Sequence, residues 1–256
     1  MKNLVRFVGI LVVAILAATQ ARATLLAQDN FNSYANGDLA TVSGGAWTTF
    51  SGTTALNVSS GQAVTTGANS DDEQIALVGG PYPTTSLFYS FDLTVSALPS
   101  VNQGAYFAMF KDSGTTFLGK TFSSNVAGQV QLGLAAQANN PASGALWGST
   151  FAVGTTHKIV VEFDQSSGLW PATTTMWVDP VNMASTSIVA SDTPFGTNIN
   201  ITAFALRQSN AQQGTQLIDN VLVGNTFGDV VAVPEPSTMM LLGTGLLGLL
   251  AIRRRS

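Results

Sequence analysis

The sequence has no cysteine, one histidine and three glutamates among 256 residues. Without cysteine there can be no disulfide, zinc–thiolate site or thiol nucleophile, and stability must come from the core. One histidine excludes a histidine metal cluster. A Ser-His-Asp triad would have to pass through His157, but no Gly-x-Ser-x-Gly elbow accompanies it. His157 opens a strand after a Gly-Thr-Thr turn and reads as a plain edge residue. No phosphate-binding loop is expected either.

Cations are as scarce as cysteine is absent. Between Asp29 and Glu235 all 14 acidic residues face only four basic ones, Lys111, Lys120, Lys158 and Arg207, a net charge of −10. The other six cations sit in the two terminal segments, so the overall −4 understates the acidity of the middle. Such a domain repels nucleic acid, which is not expected as a partner, and attracts divalent cations. Helical periodicity is also missing: no window of 12 residues between Thr24 and Val231 repeats every 3.6 residues.

What is present begins at the ends. Lys2 and Arg6 precede an apolar run, Phe7–Ala18, and Ala21-Arg22-Ala23 is a small-x-small site, so residues 1–23 read as a signal peptide cleaved before Thr24. Sec translocon and signal peptidase are then partners. The last residues read VPEPSTMMLLGTGLLGLLAIRRRS. Pro234 and Pro236 break any helix. Thr238–Ile252 is a charge-free helical run of roughly 22 Å at ~1.5 Å per residue, short of the ~17–25 residues of a comfortable span. Arg253, Arg254 and Arg255 place the C-terminus on the cytoplasmic side. The order Pro234-Glu235-Pro236, apolar helix, arginine cluster resembles the PEP-CTERM sorting signal of Gram-negative bacteria. That resemblance implies a membrane peptidase partner, an exosortase. It also implies export across the inner membrane, transient anchoring by the tail, and delivery to the cell surface or an exopolysaccharide-rich biofilm matrix.

Residues 24–231 form the ectodomain, with 232–256 as the sorting tail. Its pattern is short alternating runs between Gly, Asn, Ser and Pro clusters. Predicted strands are Leu25–Phe31, Ala55–Val58, Gln62–Thr65, Ile75–Val78, Leu87–Val95, Ala105–Lys111, Thr116–Ser123, Val130–Ala135, His157–Phe163, Thr173–Val178, Ile199–Gln208 and Gln216–Val223. Eleven to thirteen strands without helices predict an all-β fold, an antiparallel two-sheet jelly-roll sandwich, flanked by the signal helix and the C-terminal hydrophobic helix. Asp29-Asn-Phe-Asn-Ser-Tyr, HKIVVEFD…TTTMWVDP and QLIDNVLVG resemble, as an ordered set, the concanavalin A-like (laminin-G-like) jelly rolls of bacterial surface proteins.

That second resemblance implies glycan association, a structural role or polysaccharide hydrolysis, and fold alone does not choose. Its hydrolases of the laminarinase kind carry Glu-x-Asp-x-x-Glu on one strand. Here Glu162-Phe-Asp164-Gln-Ser-Ser167 lacks the second glutamate, and Glu162 reads as a solvated strand residue. The resemblance also implies one Ca²⁺ clamping the first and last strands, at Asp29 and Asp219; otherwise Asp219-Asn220 caps a bulge or turn. Asp71-Asp72-Glu73 is an alternative ion site, or else a solvated loop. Trp170, in a Gly-Leu-Trp-Pro loop, is the candidate for sugar stacking, whereas Trp177 alternates inside a strand and reads as core. The expectation is a secreted, non-catalytic, structural or glycan-associating protein. A glycoside hydrolase or lyase and a homophilic adhesin are the alternatives.

Overall fold

The computed structural model describes residues 24–100, 104–140, 143–167, 172–192, 199–208 and 213–231. The signal segment with Ala21 and Ala23, the sorting tail and Trp170 lie outside these residues. Within them, two antiparallel sheets face each other. The larger runs β14 (Ser187–Ala190), β13 (Thr173–Val178), β12 (Thr156–Asp164), β7 (Ser86–Ala97), β16 (Thr215–Gly224), β5 (Gln62–Thr66), β4 (Asn57–Ser59) and β2 (Gly37–Asp38). β1 (Leu25–Asp29) also joins it, beside the second half of β16. The smaller runs β11 (Ala145–Leu146), β10 (Gln129–Ala135), β9 (Phe117–Val126), β8 (Gly104–Lys111), β15 (Ala203–Leu206), β6 (Asp72–Ala76) and β3 (Trp47–Ser51).

The alternation in β7 explains the layering. Leu87, Tyr89, Phe91, Leu93 and Val95 all enter the core between the sheets, as period-two geometry requires. Phe88 points outward and joins Val160, Trp177, Phe227 and Val230 in a smaller cluster. That cluster is roofed by a one-turn helix, α2 (Phe227–Val230), started by a capping box between Thr226 and Asp229. Ser90 Oγ donates to the Val230 carbonyl at 2.6 Å. Trp177 is therefore buried, as the alternation predicts, but under α2 rather than between the sheets. The β4–β5 hairpin turns on Ser60 and Gly61, at φ 53° and 75°, the pair of left-handed residues that matches strand twist.

Polar ties cross the core. Gln216 of β16 donates to Ser123 Oγ of β9 at 2.8 Å and accepts from Thr65 of β5 at 2.7 Å. The Tyr89 hydroxyl meets the Gly119 carbonyl and Thr121 Oγ1 of β9 at 2.6 and 2.7 Å. Gln208, just past β15, accepts from the Thr66 amide at 3.1 Å and donates to the Asp71 carbonyl at 3.2 Å.

Several expectations are corrected. Two one-turn helices exist, α1 (Leu39–Val42) and α2, and β2, β3, β11 and β14 were not anticipated. The run expected as one strand over Ile199–Gln208 is regular only at Ala203–Leu206; Ile201 makes an isolated bridge to Tyr82. The predicted Ile75–Val78 strand lies earlier, at Asp72–Ala76, which overturns the solvated-loop reading of Asp71-Asp72-Glu73. These residues are 9%, 6% and 0% exposed. Glu73 pairs with Leu206, and Leu206 belongs to the main core, so the Glu73 side chain faces that core.

Candidate functional site

The bulge anticipated at Asp219-Asn220 is there. β16 pairs Asp219 with Asp92 and then Leu222 with Ser90, so one extra residue is inserted. Asn220 takes it up at φ 50°, a left-handed conformation that asparagine tolerates better than most residues. Bulges re-aim side chains. Here Asn220 Nδ2 is brought to Asp92 Oδ2 at 2.8 Å, while its own amide donates to Asp219 Oδ1 at 2.7 Å. On the other side of Asp92, Lys158 of β12 approaches Oδ1 at 3.5 Å. Asp92, Lys158 and Asn220 thus form one polar cluster on the outer face of the larger sheet.

This cluster is one wall of a cleft of about 540 Å³, within the range of small-ligand sites. Gln28, Asp29, Asn30 and Tyr34 line it as well, with Val221 and Leu222. Asp29 ties this stretch down. Its Oδ1 accepts from the Phe31 amide at 2.8 Å. Its Oδ2 accepts from the Tyr34 hydroxyl at 2.7 Å and from Trp47 Nε1 at 2.8 Å. Burial, with the hydrogen bond to Asp29, pushes the Tyr34 hydroxyl up to about 12. The Asp219 carboxyl is raised by burial and then by Asp92 and Asp29. Gln28, Asn30 and Asn220 are exposed amides, each offering donor and acceptor together. The cleft can therefore order hydroxyl groups, and its three neighbouring carboxylates against one ammonium make it hostile to anions.

The calcium expectation does not fit. Calcium takes six to eight oxygen ligands, and both oxygens of Asp29 are already committed to three donors. Among the described residues no group of three histidine, cysteine or acidic side chains could hold a metal ion. Asp29 is a structural acceptor and Asp219 sits at the bulge.

His157 is more than an edge residue. Its Nδ1 lies 2.7 Å from Asp179 Oδ2, its Nε2 lies 3.0 Å from Thr155 Oγ1, and its ring packs on Phe151 with centroids 4.3 Å apart. The signal was available: the β12–β13 hairpin sets Ile159 against Val178, which brings Asp179 beside His157 and Lys158. The Thr155 hydroxyl donates to the Ala152 carbonyl at 2.7 Å, so its proton is directed away from the imidazole. The chain of bonds is a strut rather than an activated nucleophile. Glu162 is half-buried rather than solvated, and burial followed by the neighbouring Asp164 raises its carboxyl.

One pattern was passed over in the sequence. Gly114–Thr121 spells GTTFLGKT, which matches Gly-x-x-x-x-Gly-Lys-Thr. Phosphate loops join a strand to a helix whose N-terminus receives the anion. Here Phe117–Val126 is strand β9, so the backbone cradle is missing.

Residues 232–255 match the PEP-CTERM protein-sorting motif. The chain therefore carries a C-terminal signal of exported proteins that are sorted to the cell surface, and the motif implies processing by an exosortase. No curated protein matches the chain in sequence. Among solved structures, the chain is similar to the potassium-bound carbohydrate recognition domain of Emp46p, at 10% identity and TM-score 0.45, covering 78% of this chain and 95% of that one. Peanut lectin aligns at 15% identity and TM-score 0.45, covering 78% and 97%. An alginate lyase from Alteromonas sp. 272 aligns at 10% identity and TM-score 0.43, covering 74% and 98%.

Proposed function

From a chain that ends in a PEP-CTERM sorting motif, we propose a non-catalytic glycan-associating protein of a Gram-negative cell surface or its extracellular matrix. It crosses the inner membrane through the Sec translocon, is anchored transiently by its tail, and is released from it by an exosortase. The observation that carries the glycan reading is the cleft between β1 and the β7–β16 bulge. It sets the exposed amides of Gln28, Asn30 and Asn220 beside the carboxylates of Asp29 and Asp92, with Asp29 fixed by three hydrogen bonds and Asn220 by one to Asp92. Rigid groups of mixed donor and acceptor character suit sugar hydroxyls, because little order is lost when they bind. The carboxylates favour a neutral sugar.

The test is a glycan array and an exopolysaccharide pull-down with the full chain. Neutral oligosaccharides should bind, and Asn220→Gly should remove that binding while keeping the backbone conformation. An array without neutral hits would overturn the cleft assignment, and release of reducing ends or unsaturated products would overturn the non-catalytic reading. Self-association is the second reading. It is supported by Val181, Met183 and Val189, which are 80%, 55% and 57% exposed on and beside the edge strand β14. A concentration-dependent dimer in sedimentation, abolished by Val189→Lys, would favour it.

A further inference from the structure

Three of the four cations between Asp29 and Glu235 gather on the face opposite the cleft. In β8 and β9, Phe107, Phe110 and Leu118 point into the main core. Tyr106, Met109 and Phe122 point the other way, with Phe50 and Phe117 against them. Onto these outward rings come the cations. Arg207 lies 4.3 Å and Lys120 4.6 Å from the centroid of Tyr106. Lys111 lies 4.8 Å from that of Phe50. Cation–π attraction helps to hold them, but placing two like charges on one ring is costly. Burial, then Arg207, lowers the Lys120 ammonium to about 8.

The partners of these cations are unequal. Lys111 donates to the Asp112 carbonyl at 2.7 Å. Lys120 donates to the Gln137 carbonyl at 2.5 Å and to Asn139 Oδ1 at 2.7 Å. Arg207 meets only Asp72, Nε to Oδ2 at 3.6 Å, and among the described residues no acceptor meets its terminal nitrogens. A guanidinium presents those N–H groups as a fork that fits a carboxylate with two parallel bonds. Phe50, Phe117 and Arg207 are partly exposed; the two phenyl rings stand 5.9 Å apart, and Phe117 lies 6.2 Å from the Tyr106 ring that carries the guanidinium. An apolar platform beside a cationic fork fits a ring that carries one carboxylate.

We propose that this outer face of the smaller sheet is a second binding site, for a carboxylated sugar of an acidic polysaccharide. Arg207 receives the carboxylate, and Phe50 and Phe117 meet the apolar side of the ring. The patch is too small for a run of nucleic-acid phosphates, whose binding draws on many cations at once. It is separate from the cleft by position and by charge, so one molecule would hold a neutral and an acidic glycan on opposite faces.

The experiment is calorimetric titration of the full chain with an oligogalacturonate and with the same oligomer after its carboxylates are reduced to alcohols. The acidic oligomer should bind at least tenfold more tightly, and its binding should weaken as salt rises. Arg207→Gln should cost at least tenfold, Arg207→Lys should recover part of that loss, and Gln28→Ala in the cleft should leave the affinity for the acidic oligomer as it is in the parent. Equal affinity for the reduced oligomer in the Asn220→Gly variant, whose cleft no longer holds a neutral sugar, indifference to Arg207→Gln in a variant that melts like the parent, or no binding of the acidic oligomer would overturn the assignment. Equally tight binding of a single-stranded DNA of matched charge would also overturn it. None of these outcomes depends on whether the cleft binds a neutral sugar.

Discussion

Replacing Glu73 by glutamine should stabilise the protein in alkaline solution and leave it unchanged in acid. Glu73 is fully buried. Its Oε1 accepts from the Ala40 amide at a long 3.3 Å, and its Oε2 has no partner. Burial, with Asp38 and Asp71 nearby, raises its carboxyl from 4.5 to about 7. In the unfolded chain the proton leaves near 4.5, and in the folded protein near 7. The stabilisation held by the protonated form is thus complete below about 4.5, declines as pH rises between the two values, and is gone above about 7. At about 1.4 kcal/mol per pH unit, the loss is roughly 3 kcal/mol. Glutamine has the same shape, keeps an oxygen for Ala40 and never ionises. The assay is urea unfolding followed by tryptophan fluorescence at several pH values for both proteins. Glu73→Gln should match the parent near pH 4.5 and exceed it by about 2–3 kcal/mol near pH 8.5. Asp72, whose carboxyl burial raises to about 6, slopes both curves alike and cancels in the comparison. Parallel curves, or a variant that is weaker at pH 8.5, would refute the reasoning.

Other substitutions test other joints. Trp47→Phe removes the indole N–H from Asp29. It should cost about 1–3 kcal/mol, measured by the same unfolding assay, and should loosen glycan binding at the cleft. Asn220→Val forces a β-branched residue into a left-handed conformation and should cost about 1–3 kcal/mol, whereas Asn220→Gly should stay within about 1 kcal/mol of the parent. Thr226→Ala removes the cap of α2, which should cost about 1 kcal/mol and raise hydrogen exchange at Phe227–Val230 before elsewhere.

Legibility followed the length and regularity of each strand. β7, β12 and β16 could be read directly because they are long, their apolar residues alternate over many positions, and their turns carry Gly, Asn or Pro. β2, β11 and β14 are two to four residues long and leave no periodic trace, since their pairing comes from the neighbouring strand. Asp71-Asp72-Glu73 was misread because a charge run looks solvated. Only the pairing with β15 and β3 turns Glu73 inward and Asp72 toward Arg207. The bulge at Asp219-Asn220 was legible as an Asx pair inside a strand. The gathering of Lys111, Lys120 and Arg207 was not, because those residues lie on β8, on β9 and just past β15, and only the sheet order makes them neighbours.

The amide of Gln216, wedged between Thr65 and Ser123, has a consequence for how the molecule comes apart. Two greasy surfaces can slide over one another by a fraction of a residue at little cost. A carboxamide tolerates no such drift, because once it is displaced its donors and acceptors face hydrocarbon. The two sheets are keyed like a lock, and the key has a single seat. An exported protein that closes without any covalent staple gains from such a seat. Misaligned halves are left with a raw polar wound in their middle, and they fall open again until the register is right.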